Sequence, residues 1–172
     1  MSDVNLEVRS KTHQVRFDRG CHWRARLGFI MISTDLVMEE NLFRMAPPGV
    51  GVHVTRLESE NDCNVASLAR QVDGLAGAAA ILQPASPPDV IAYACTSGSI
   101  VIGEERVCDE IRRGAPTSEP TTLVTGVVRA LRALGARRIV VATPYLDEIN
   151  VLEARFLAER GFEVLDIQGL NI

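Results

Sequence analysis

Lysine is almost missing from this chain of 172 residues: Lys11 is the only one, placed in a polar N-terminal stretch. An enzyme that anchors pyridoxal phosphate does so through a Schiff base to lysine, so that chemistry has almost no candidate residue here. A dense basic tract is missing too. The formal charge is -4, and the scattered arginines do not cluster as contact with a phosphate backbone requires, which argues against a nucleic-acid partner. No apolar run approaches the roughly eighteen residues that a membrane helix needs, so no membrane partner is expected. The opening residues, with Arg9, Lys11, Arg16, Asp18 and Arg19 interspersed, do not read as a secretory leader, and the expected location is cytoplasmic.

Metal and nucleotide signatures are absent as well. Cys21, Cys63, Cys95 and Cys108 lie far apart without a CxxC pair, so neither a zinc site nor a disulfide framework is expected. His13, His22 and His53 never fall at the i, i+4 spacing of a helical metal motif. Gly49 and Gly51 lack a third glycine and precede a strand pattern, and neither a Walker loop nor a nucleophile elbow occurs. The expectation is an enzyme without metal or cofactor.

What the chain does have is the punctuation of an α/β protein. With 47 % hydrophobic residues it can bury a sizeable core. Leu27 to Ile32 is a continuous apolar run, as in a strand buried on both faces. Ser33-Thr34-Asp35 follows as a helix cap, then Leu36, Met38, Leu42 and Phe43 at helical spacing until Pro47-Pro48. Val50 to Arg56 reads as a second strand, Cys63 to Leu82 as one alanine-rich helix, and Asp89 to Ala94 as a third strand. Helices are expected from Ser99 to Arg113 and from Glu119 to Leu134, then a strand over Arg138–Ala142, a helix over 147–160 and a strand over Phe162–Ile167. Alternation of this kind implies parallel pairing with right-handed crossovers, hence an α/β fold with a parallel sheet flanked by helices.

Cys95 carries the most information, because the third strand stops at it and Thr96-Ser97-Gly98-Ser99 follows at once. Ligands of parallel α/β sheets bind outside the carboxyl ends of the strands. Unpaired amides that open the next helix favour a thiolate and an anion beside it. The bland alternative is a cysteine that packs as a small apolar side chain, and that is how Cys21, Cys63 and Cys108 read. Arg56, at the end of the second strand, reads as one half of a surface ion pair.

The chain also half-repeats itself: strand, helix and strand over Gly28 to Arg56 parallel strand, helix and strand over Arg138 to Ile167. This divides it into an N-terminal arm, 1–25, a first α/β module carrying the Cys95 turn, 26–117, and the start of a second module, 118–172. The third strand of the second copy, with whatever residue its end presents, is not within the sequence.

Three stretches, Gly28 to Glu39, Cys95-Thr96-Ser97-Gly98-Ser99, and Thr143-Pro144-Tyr145 with Asn150, resemble the aspartate/glutamate racemase superfamily. Within it they are similar to the branch of maleate isomerases and arylmalonate decarboxylases. The wording of Ser33 to Glu40 looks most like the racemase-like proteins of ectoine utilisation. The resemblance implies a flavodoxin-like module plus an incomplete second copy, and cofactor-independent chemistry on a small carboxylic acid held between two modules, each with one cysteine. Carried over, it makes Cys95 the catalytic thiol and gives Thr96, Ser97 and Tyr145 as donors to a carboxylate or enediolate, with Asp35 and Asn150 completing the substrate site.

Two departures bear on the reaction. Asp35 stands where many relatives carry asparagine, and a carboxylate there repels another carboxylate, so it is expected to read a hydroxyl, ammonium or amidine group, as on an ectoine-like ligand. The second-module cysteine has no counterpart, and Cys21, Cys63 and Cys108 are unsuitable on position. The expected function is therefore an isomerase or racemase-like enzyme acting on a small carboxylate through Cys95. Its alternatives are an arylmalonate-type decarboxylase, which needs a large apolar pocket, and an inert ligand-binding or assembly protein. A parallel sheet with an open hydrophobic edge also favours a homo-oligomer.

Overall fold

Strands that are apolar at consecutive positions need cover on both faces, and the order of elements supplies it. The structure, a computed structural model, describes residues 10–18 and 20–171; the first part of the expected arm, residues 1–9, and Arg19 lie outside the described residues. The elements are β1 (Ala25–Ile32), α1 (Met38–Met45), β2 (Val50–Leu57), α2 (Val65–Arg70), α3 (Val72–Ala80), β3 (Val90–Tyr93), α4 (Thr96–Ile102), α5 (Glu104–Gly114), β4 (Glu119–Thr122), α6 (Leu123–Ala133), β5 (Arg138–Thr143), α7 (Asp147–Glu159) and β6 (Glu163–Gly169).

Two parallel sheets result, a four-stranded one in the order β2-β1-β3-β4 and a two-stranded one of β5 and β6. The expected parallel sheet flanked by helices is present, and the order 2-1-3-4 is the flavodoxin-like one. Its topological switch point lies between β1 and β3, where the crossovers depart in opposite directions and leave a crevice at the carboxyl ends. Register places Cys95 there. Ile30 stands opposite Tyr93, and the Ala94 amide donates to the Ile30 carbonyl at 2.8 Å, so Cys95 emerges beside the end of β1.

Ile30, Leu75, Ile91, Tyr93, Val107 and Ile111 are fully buried in the main core. A second cluster, Val124, Val128, Phe156, Leu157 and Phe162, packs under β5 and β6. Glu104 ties the helices together, since it accepts from the Thr125 hydroxyl and pairs with Arg160. No helix of the described residues is long and apolar enough to cross a membrane.

Four local expectations are corrected. The segment Glu119-Pro120-Thr121-Thr122 is a strand paired to β3, and the helix expected from Glu119 starts at Leu123. Proline is tolerated because β4 pairs on one side only within this sheet. The helix expected over Ser99 to Arg113 is two helices, broken at Gly103, whose φ of +93° suits glycine. The long alanine-rich helix likewise divides at Gln71 into α2 and α3. Leu36 lies ahead of α1 and is 93 % exposed, and α1 buries none of its residues.

Candidate active site

Helix α4 opens immediately after β3, and Cys95 is its N-cap, with its sulfur accepting the Gly98 amide at 3.3 Å. The first-turn amides of Thr96 and Ser97 have no carbonyl within the helix to donate to, which leaves them for a bound group. Close approach of the helix to the sulfur depends on Gly98: a Cβ there would lie 3.1 Å from Cys95 Sγ and would overlap the Tyr93 hydroxyl. The Tyr93 hydroxyl in turn donates to Gln71 Oε1. Burial, with Cys95 as a neighbour, pushes the Tyr93 phenol far up.

Although Cys95 is only 6 % exposed, it stands on the wall of a cavity of about 240 Å³ that also reaches Asp35, Thr96, Ser97 and Tyr145. Five of the six residues expected at the site therefore share one cavity. The sixth, Asn150, lies behind it. Its Oδ1 accepts from the Thr143 hydroxyl at 2.6 Å and its Nδ2 donates to the Tyr145 carbonyl at 3.3 Å, so it holds the turn that carries Tyr145.

Each wall has a local cause. Asp35 Oδ1 accepts the amides of Val37 and Met38 at 2.9 and 2.8 Å, which turns the carboxylate toward the start of α1. Arg56 is taken up by the Asp35 carbonyl at 2.8 Å and by Glu39 at 2.7 Å, in agreement with its reading as an ion-pair residue. Tyr145 is pushed up to about 12 by burial, against the lowering effect of the Ser97 hydroxyl. It therefore stays a neutral donor at physiological pH.

The sequence reading missed one wall. Loop 58–64, at the carboxyl end of β2, contributes Ser59, Glu60, Asn61, Asp62 and Cys63 to the cavity, whereas Cys63 had read as structural. The strand-end rule that singled out Cys95 does not reach Cys63, which lies in the polar loop well beyond Leu57, the last residue of β2. Burial raises the Cys63 thiol, the neighbouring Ser97 hydroxyl acts against the rise, and Cys95 adds to it. Cys21 is exposed and Cys108 is half-buried on α5, and neither lines this cavity. The lining includes three carboxylates, Asp35, Glu60 and Asp62, and among the described residues no arginine or lysine.

Comparison with known proteins gives a consistent picture. Residues 63–172 match the family model described as arylmalonate decarboxylase. Arylmalonate decarboxylase of Bordetella bronchiseptica is 44 % identical over 52 residues, 30 % of this chain and 22 % of that protein. Maleate isomerase of Pseudomonas putida is 29 % identical over 91 residues, 49 % of this chain and 36 % of that protein. Among solved structures, a maleate isomerase variant from Pseudomonas putida S16 with maleate superposes with a TM-score of 0.74 at 26 % identity, covering 86 % of this chain and 64 % of that one. The chain thus spans less than two thirds of these relatives' lengths.

Proposed function

The chain belongs to the arylmalonate decarboxylase family, in the branch of the aspartate/glutamate racemase superfamily that includes the maleate isomerases, and from that premise we propose that it is a cofactor-independent isomerase of a small carboxylate acting through Cys95. The observation that carries this reading is the single cavity onto which the Cys95 sulfur, the Thr96 and Ser97 turn and Tyr145 open. In the proposed reaction the Cys95 thiolate adds to the double bond of an unsaturated acid. A C–S bond forms, and the π electrons pass into the carboxylate as an enediolate. The amides of Thr96 and Ser97 and the Tyr145 hydroxyl donate to its oxygens, which stabilises charge as it develops. Rotation about the new single bond and expulsion of the thiolate then release the other geometric isomer.

The three carboxylates and the lack of a basic residue on the cavity wall bear on the substrate. A dianion would place its second charge beside like charges, so the distal end of the substrate carries an ammonium, amidine or hydroxyl group, as an ectoine-like acid does. Incubation with maleate and with cis-4-aminobut-2-enoate, followed by proton NMR, tests the proposal. Conversion to the trans acids is expected, faster for the amino acid by about tenfold or more and abolished in Cys95→Ser. Failure to convert either acid sinks it.

A further inference from the structure

Gly51 leaves a notch in β2, and the segment ahead of β1 fills it. Side chains two residues apart share a face of a strand, so the notch lies beside His53, whose neighbour on β1 is Gly28. A Cβ on Gly51 would lie 2.3 Å from His22 Nδ1, so the His22 ring rests on this backbone. From there it meets His53 edge to face, with ring centroids 5.3 Å apart and ring planes at 79°. Trp23 lies in the same way on Gly49, where a Cβ would come 2.6 Å from the indole. The Arg24 and Ala25 amides complete the attachment by donating to the Gly49 carbonyl at 2.9 and 3.3 Å. Residues 10–18, ahead of this point, are exposed and belong to no helix or strand.

We propose that His22 and His53 form a pH-sensitive latch, which holds segment 20–24 on β2 at neutral pH and lets it go on acidification. His53 Nε2 is cut off from solvent and has no hydrogen-bond partner among the described residues, so a proton placed there would have no acceptor. The charged groups that act on His53 are His22 from the segment and Arg26 from β1, and both are cations once protonated. Asp89 lies at the same end of the sheet, but its carboxylate is engaged by the Arg26 amide at 2.7 Å. The acids on the helices packed against β2 stand elsewhere. Asp73 of α3 borders the hollow at Leu57, Glu39 of α1 pairs with Arg56, and Glu40 pairs with Arg44.

Burial comes first among the causes that hold His53 below 6.5, followed by His22 and Arg26. With the segment off the strand, His53 is rehydrated and loses its histidine neighbour, so it binds a proton more tightly than in the latched form. Linkage then fixes the direction: the latch is complete above pH 6.5 and is lost as the pH falls through the lowered value. The change stays local, since His22, Trp23 and His53 lie outside both core clusters. It also opens the cavity of about 430 Å³ that His22, Trp23 and Arg24 form with Arg26 and Asp89.

Trp23 is the single tryptophan of the chain, so its fluorescence anisotropy reports on this segment alone. Between about pH 7.5 and about pH 5 the anisotropy of the full chain is expected to fall by about a third, as a freed segment moves on the nanosecond timescale, while far-UV circular dichroism stays constant. Quenching of Trp23 by a protonated His22 would shorten the excited state and raise the anisotropy, so it cannot imitate release. In His53→Gln, where nothing at that position titrates, the anisotropy should stay high throughout. Gly51→Ala, whose methyl displaces the His22 ring, should already show the low value at neutral pH. A constant anisotropy in the unsubstituted chain, a fall that persists in His53→Gln or accompanies loss of dichroism, or a Gly51→Ala chain that stays high at neutral pH overturns the latch.

Discussion

Gly98→Ala is the sharpest test of how the site is built. The added methyl would overlap the hydroxyl of Tyr93, a side chain with 0 % exposure whose hydroxyl donates to Gln71, and would lie 3.1 Å from Cys95 Sγ. Neither neighbour is the free end of a flexible side chain. Replacing a helical glycine by alanine gains about 1 kcal/mol. Against that, overpacking a filled interior costs about 1–3 kcal/mol, and displacing the buried Tyr93–Gln71 hydrogen bond costs about 1–3 kcal/mol. The net is a loss of about 3 kcal/mol, or roughly 6–12 °C in Tm for a chain of this length, measurable by circular dichroism. Adding Tyr93→Phe removes the atom that collides. The double variant should therefore recover stability relative to Gly98→Ala, with a coupling of about 1 kcal/mol or more. An unchanged or raised Tm for Gly98→Ala, or simple additivity in the double variant, refutes the steric argument.

Three further outcomes are expected. Asn150→Ala removes the acceptor of the Thr143 hydroxyl and the donor to the Tyr145 carbonyl; a loss of about 2–3 kcal/mol in urea melts is expected, and none would show that the Tyr145 turn holds itself. Asp35→Asn should shift preference away from the ammonium-bearing acid toward maleate, as competition kinetics would reveal; an unaltered ratio removes Asp35 from substrate reading. Glu153 is 8 % exposed with Oε2 unpaired, and burial raises its carboxyl above 4.5. The folded state keeps this proton longer than the unfolded state, so the stability it contributes is full below pH 4.5 and is lost as the pH rises through the folded value. Glu153→Gln should then gain on the parent chain between pH 4.5 and pH 7.5, and a gain independent of pH would contradict the assignment.

The strands that could be read from sequence are those whose apolar runs announce burial: β1, β2, β3, β5 and β6 all lie close to where the runs fall. β4 could not be read that way, because Glu119-Pro120-Thr121-Thr122 holds no apolar alternation and its proline suits only a strand paired on one side. The break at Gly103 was hidden for the opposite reason, since the helical pattern on its two sides is continuous and only backbone direction changes there. At the site, Cys95 stood out by its place at a strand end, whereas Thr96, Ser97, Asp35 and Tyr145 came from the family resemblance; the structure puts all five on one cavity. Asn150 was placed correctly in the chain but sits one layer back, a distinction that depends on side-chain direction. Cys63 escaped because its surroundings, Glu58 to Asn64, read as an ordinary polar loop, and only the pairing of β2 with β1 brings that loop across to Ser97.

The cavity is made of two kinds of material. Its floor is sheet end and helix α4, tied to the buried core through Tyr93 and Ile30, while its rim at residues 58–64 is surface loop. Substitutions at Ser59, Glu60, Asn61 and Asp62 can therefore reshape the rim while Cys95 and the turn after it stay where the core puts them. A lineage built on this scaffold could change what it accepts many times without relearning how to react.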